Sequence, residues 1–266
     1  MPETNTYDYS FMDRPEVLRG LFYPRPEYGP REKSDSALDM LIPVENDIMV
    51  GGRFHIKGKS SPNILFFHGN GEIAADYNDL GPLFTHIGIN FLVVDYRGYG
   101  RSAGTPTATN MMKDCRTIFR FTMEWLEKND CKGAFLVMGR SLGSASAVDL
   151  ANYHKDLVDG LIIESGFAFT GPLLKLLGAN KSAAGFREKD GFGNLEKIKT
   201  WDKPTLIIHA EFDHIIPFSD GQSLYDVCTA TDKKLLKIPG ANHNDIFIRG
   251  IDRYMEAVKT LCEKFE

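Results

Sequence analysis

The sequence predicts an α/β protein: a mostly parallel sheet with helices on both faces. Short apolar runs recur at 63–67, 91–94, 134–138, 160–163, 205–208 and 234–238. Most are nearly continuous in apolar residues rather than alternating, the pattern of strands covered on both sides. Amphipathic stretches separate them, near 73–87, 109–129, 142–154, 217–230 and 245–264. Strand–helix alternation of this kind joins parallel strands by right-handed crossovers. Two earlier segments, 37–44 and 48–57, read as an antiparallel pair at the sheet edge.

The 266 residues fit one domain spanning 1–266. Residues 1–36, rich in Pro, Arg and Tyr, show no periodicity and read as an irregular lead-in anchored by aromatics. Residues 166–200 hold many Gly, Lys and Ala and one helix-like piece at 173–177. A connection that long is expected to act as a lid or binding loop.

Composition narrows the function. The formal net charge of -5 offers no basic field for nucleic acid. The four cysteines, Cys115, Cys131, Cys228 and Cys262, form no metal-ligand spacing, so reduced thiols and no metal are expected. There is no secretory pattern and no apolar run long enough for a membrane span, so the expected location is cytoplasmic.

In parallel α/β sheets, ligands bind outside the carboxyl ends of the strands. Gly139-Arg140-Ser141-Leu142-Gly143 stands at such an end and fits G-x-S-x-G, with strand before and helix after. The turn is tight enough to require small residues two before and two after the serine, and Ser144, Ala145 and Ala147 keep the following helix thin. Ser141 is the candidate nucleophile, which needs a base. His243 follows the last strand and is the candidate base. His55, His86 and His154 fall where solvated histidines are common. His68 suits a backbone role, His209 a place under the site, and His214 the cleft wall. Asp213, after the 205–208 strand, is the candidate acid, with Glu164 as its main competitor and Glu211 expected to point away. The order Ser141, Asp213, His243 is the one used by nucleophile-elbow sheets. The oxyanion hole is expected from the backbone N–H groups of Leu142 and of Asn70, in the loop His68-Gly69-Asn70-Gly71.

These motifs, with Asp95-Tyr96-Arg97-Gly98-Tyr99-Gly100-Arg101-Ser102 and Asp213–Pro217, occur in order over about residues 40–264. The chain resembles the α/β-hydrolase superfamily, most closely its serine-aminopeptidase-like and depalmitoylase-like branch. The resemblance implies an eight-stranded sheet, acyl-enzyme chemistry on Ser141, Asp213 and His243, and no cofactor. It gives the 97–102 loop a mainly structural role. Membrane-associated depalmitoylases carry a cysteine-rich N-terminal stretch, whereas the first 114 residues here contain no cysteine. The expected reaction is hydrolysis of a small or medium acyl ester or thioester. The alternatives are a peptidase or amidase of the same fold and a non-catalytic binding module.

Overall fold

Eight strands form one sheet in the computed structural model, which describes residues 7–29, 37–177 and 185–265. They are β1 (Ala37–Glu45), β2 (Ile48–His55), β3 (Asn63–Phe67), β4 (Asn90–Val94), β5 (Phe135–Arg140), β6 (Gly160–Glu164), β7 (Thr205–Ala210) and β8 (Lys233–Ile238). Their spatial order is β1-β2-β4-β3-β5-β6-β7-β8. β2 runs antiparallel to both β1 and β4, and every other neighbouring pair is parallel. The antiparallel pair expected from the sequence therefore closes one edge.

The two faces of the sheet feed two cores. Leu65, Phe67, Val137, Leu161 and Ile207 share one with side chains from α3 (Ala108–Lys128), α4 (Ser144–Tyr153), α6 (Asn194–Ile198) and α7 (Phe218–Val227). Ile64, Phe66, Leu136, Met138 and Leu206 share the other with α2 (Gly81–His86) and α8 (Ile246–Cys262). Alternate residues of each central strand face opposite cores, so nearly every position must be apolar. α8 is kinked at Gly250, where a Cβ would lie 2.5 Å from Ile238 Cγ2.

Two expectations need correcting. The lead-in is not wholly irregular: it contains α1 (Pro15–Leu21), which starts on a proline and buries Val17 and Leu21 one helical turn apart. Tyr9, Phe11, Met12 and Phe22 join it in the first core. The 166–200 segment holds α6 besides α5 (Thr170–Leu176). The parts of these two segments at 1–6, 30–36 and 178–184 lie outside the described residues. α1 packs on α5, and a Cβ on Gly20 would come within 2.8 Å of the Leu177 carbonyl oxygen. Among the described residues, no helix is long and apolar enough to cross a membrane.

His55 is not solvated. It is 3% exposed, its Nε2 has no hydrogen-bond partner among the described residues, and its ring fills the space left by Gly81. Burial, aided by the Arg53 charge, pushes its pKa down to about 4. An unfolded histidine titrates near ~6.5. Between these values the unfolded chain binds more protons, which favours unfolding. The stability is fully present above pH ~6.5 and lost as pH falls toward about 4. Denaturant midpoints should therefore fall between pH 6.5 and 5, and fall less steeply in His55→Asn. Equal slopes in the two proteins would show that His55 has no part in the loss.

Candidate active site

Ser141 occupies the sharp turn between β5 and α4 with φ +51°, a left-handed conformation that is strained for any residue with a Cβ. The turn closes because both flanking glycines lack side chains. A Cβ on Gly139 would lie 2.2 Å from the Gly143 carbonyl oxygen, and one on Gly143 would lie 2.0 Å from that of Phe67. The Ser144 hydroxyl donates to the Ser141 carbonyl at 2.6 Å and holds the start of α4 under the turn.

Asp213 and His243 come from the loops after β7 and β8. Asp213 Oδ2 accepts a hydrogen bond from His243 Nδ1 at 2.7 Å. Its Oδ1 accepts from the backbone N–H groups of Ile215 (3.0 Å) and Ile216 (2.8 Å). Burial alone would raise the pKa of this carboxyl. The hydrogen bond and charge of His243, with help from the Ile216 N–H, outweigh burial and hold it below the usual carboxylate range. An ionised Asp213 can only accept, so the proton lies on Nδ1 and Nε2 carries the lone pair.

Glu164, the rival acid, turns elsewhere: Oε1 accepts from Arg140 Nε at 3.0 Å and Oε2 from the Tyr254 hydroxyl at 2.7 Å. Glu211 accepts from the Gly240 N–H instead. His209 is buried beneath the site and donates through Nε2 to the Ile216 carbonyl at 2.8 Å. His214 is exposed and takes no part in the cavity wall, contrary to expectation. His68 is fully buried, with Nδ1 2.8 Å from the Gly69 carbonyl oxygen and Nε2 3.3 Å from Asp95 Oδ1.

The Asn70 loop is laced to the lead-in. Asn70 Oδ1 accepts from the Tyr23 N–H at 2.8 Å and from the Tyr99 hydroxyl at 2.7 Å. Its side-chain oxygen is thereby occupied.

Ser141, Leu142, His243 and Asn70 all line one cavity of about 160 Å³. Leu21 of α1, Leu173 and Leu177 of the α5 region, and Ile215 add apolar wall, while Glu72 and Arg140 add a charged floor. The sequence reading missed Leu21, Glu72 and Arg140. The last two stand just after the 68–71 loop and inside the G-x-S-x-G segment, and no local pattern marks their mutual contact.

An eight-stranded sheet of this order, with a serine turn at the end of β5, defines the α/β-hydrolase fold. The serine aminopeptidase S33 family matches residues 58–186. Alpha/beta hydrolase domain-containing protein 17B of Homo sapiens is 32% identical over 213 residues, 76% of this chain and 67% of that protein. Alpha/beta hydrolase domain-containing protein aho-3 of Caenorhabditis elegans is 31% identical over 207 residues, 75% of this chain, and the match spans only 57% of that protein. The esterase Pf2001 of Pyrococcus furiosus has the same fold, with a TM-score of 0.73, 17% identity, and coverage of 91% of this chain and 98% of that one. The chain belongs to the α/β-hydrolase superfamily, in its depalmitoylase-like branch.

Proposed function

We propose that the protein is a serine hydrolase that cleaves carboxylic esters or thioesters through an acyl-enzyme. The observation that carries this reading is the Asp213–His243 hydrogen bond of 2.7 Å opening on the same cavity as Ser141. In the first step Ser141 Oγ bonds to the acyl carbon while its proton passes to His243 Nε2. The carbonyl oxygen becomes an oxyanion, held by the N–H groups of Asn70 and Leu142. Such donors are each worth about 100- to 1,000-fold in rate. Collapse breaks the bond to the leaving alcohol or thiol, which takes the proton from His243. Water then attacks the acyl-enzyme by the same route, giving the free acid and restoring the Ser141 hydroxyl. Asp213 stays ionised throughout and stabilises the imidazolium.

The apolar walls of Leu21, Leu173, Leu177 and Ile215 suit a short to medium acyl chain. Among the described residues, the only carboxylate in the cavity wall is already engaged. Glu72 Oε1 binds Arg140, and Oε2 accepts from the Gly69 N–H at 2.7 Å and the Tyr77 hydroxyl at 2.6 Å. That leaves no free acid among the wall residues for a peptide amine, and it favours esters over peptides. The reading further proposes one catalytic domain acting on a small acyl substrate without a cofactor.

The test is hydrolysis of p-nitrophenyl esters of increasing acyl length, with fluorophosphonate labelling of the same protein. Turnover that peaks at a short or medium chain, with labelling, is expected. Neither turnover nor labelling would sink the enzyme reading and favour a binding module of this fold.

A further inference from the structure

Arg140, the residue immediately before the serine, is almost fully buried, at 6% exposed. Its guanidinium reaches three separate segments. Nε donates to Glu164 Oε1 at 3.0 Å, on the neighbouring strand β6. Nη1 donates to Glu72 Oε1, at the end of the oxyanion loop. Nη2 donates to the backbone carbonyl of His243 at 2.7 Å. The far oxygens of both carboxylates are tied as well. Glu72 Oε2 holds the Gly69 N–H (2.7 Å) and the Tyr77 hydroxyl (2.6 Å), and Glu164 Oε2 holds the Tyr254 hydroxyl (2.7 Å) of α8. A Cβ on Gly69 would lie 2.8 Å from Nη1, so the oxyanion loop sits directly on this group.

A fork of fixed geometry is suited to such a task. Guanidinium donors are planar and rigid, and their bonds to carboxylates are among the strong ones. Burial works against the charge, but Glu72 and then Glu164 raise the pKa of Arg140 further above its already high value.

We propose that Arg140 is a positioning residue that sets the base loop against the oxyanion loop: one guanidinium holds the His243 backbone and the Glu72 carboxylate, so that His243 Nε2 stands at the Ser141 hydroxyl while the Asn70 N–H meets the acyl carbonyl oxygen. This rests on the hydrolase reading. It also gives the buried charges a purpose that packing alone does not require, since an isolated buried ion pair adds little stability over an apolar replacement.

The experiment compares wild type with Arg140→Gln, Arg140→Lys and Glu72→Gln on the best p-nitrophenyl ester, following kcat, KM, the fluorophosphonate labelling rate and the melting temperature. Arg140→Gln is expected to lower kcat and labelling together by about 100- to 1,000-fold, the loss seen when an oxyanion donor leaves its place. KM should change little, because alignment is realised in the transition state. Arg140→Lys keeps the charge but not the fork and should recover only part. Glu72→Gln keeps its length and should fall in the same direction by less. Methylguanidinium added to Arg140→Ala should restore part of kcat with the melting temperature unchanged, which a merely structural role would not allow. Should the Arg140 variants not fold, Glu72→Gln carries the test alone. Wild-type turnover with kcat unchanged in every folded variant, or a loss confined to KM, overturns the proposal alone. Wild type with neither turnover nor labelling overturns the hydrolase reading beneath it.

Discussion

Ser141→Ala abolishes ester hydrolysis on the proposed mechanism and leaves the fold in place. The expected fall in kcat is about a million-fold, the size seen when a triad serine is removed from an enzyme of this chemistry. The substitution deletes one oxygen and keeps the Cβ, so the strained φ of +51° is unchanged and no glycine contact of the turn is disturbed. The Ser144 hydroxyl bonds to the backbone carbonyl of residue 141, not to its side chain, and that bond survives the change. Melting temperature should match wild type. Turnover that persists undiminished in the pure variant would mean that another group is the nucleophile.

Asp213→Asn has the next largest expected effect, about 10⁴-fold in kcat. The local hydrogen bonds dictate how the amide must sit. The Oδ1 position faces two N–H donors, those of Ile215 and Ile216, at 3.0 and 2.8 Å. The asparagine oxygen takes that place, which turns the amide nitrogen toward His243 Nδ1. A nitrogen that donates there forces the imidazole proton onto Nε2. The base then has no lone pair for the serine proton. A kcat close to wild type would show that His243 does not rely on this carboxylate. Asp213→Glu is expected to be less damaging, because it keeps an acceptor opposite Nδ1.

The legible parts of the fold were those governed by short-range constraints. The doubly covered strands announced themselves because both faces demand apolar residues, and the edge pair because turn residues separate β1 from β2. The serine turn was legible because its sterics act over five consecutive positions. Ser141, Leu142, Asn70 and His243 reach one cavity because each follows a strand in the parallel part of the sheet. α1 was missed for a physical reason: seven residues with two buried positions cannot display a period. α6, with five residues, is shorter still. His55 was misread because its burial depends on Gly81, which is distant in sequence and lacks a side chain. Arg140 and Glu72 lie 68 positions apart, and no local pattern announces a contact of that separation.

The contact of α1 with α5 divides the labour of the site between distant parts of the chain. The proposed reacting groups follow strand ends of the parallel sheet. Leu21, by contrast, reaches the cavity from a helix that precedes the first strand. On the proposed function, chemistry and fit thus answer to different segments. A bulkier or smaller side chain at position 21 would resize the cavity while the bond-making atoms stay where the sheet holds them, so a preference for chain length could drift without retooling the reaction itself.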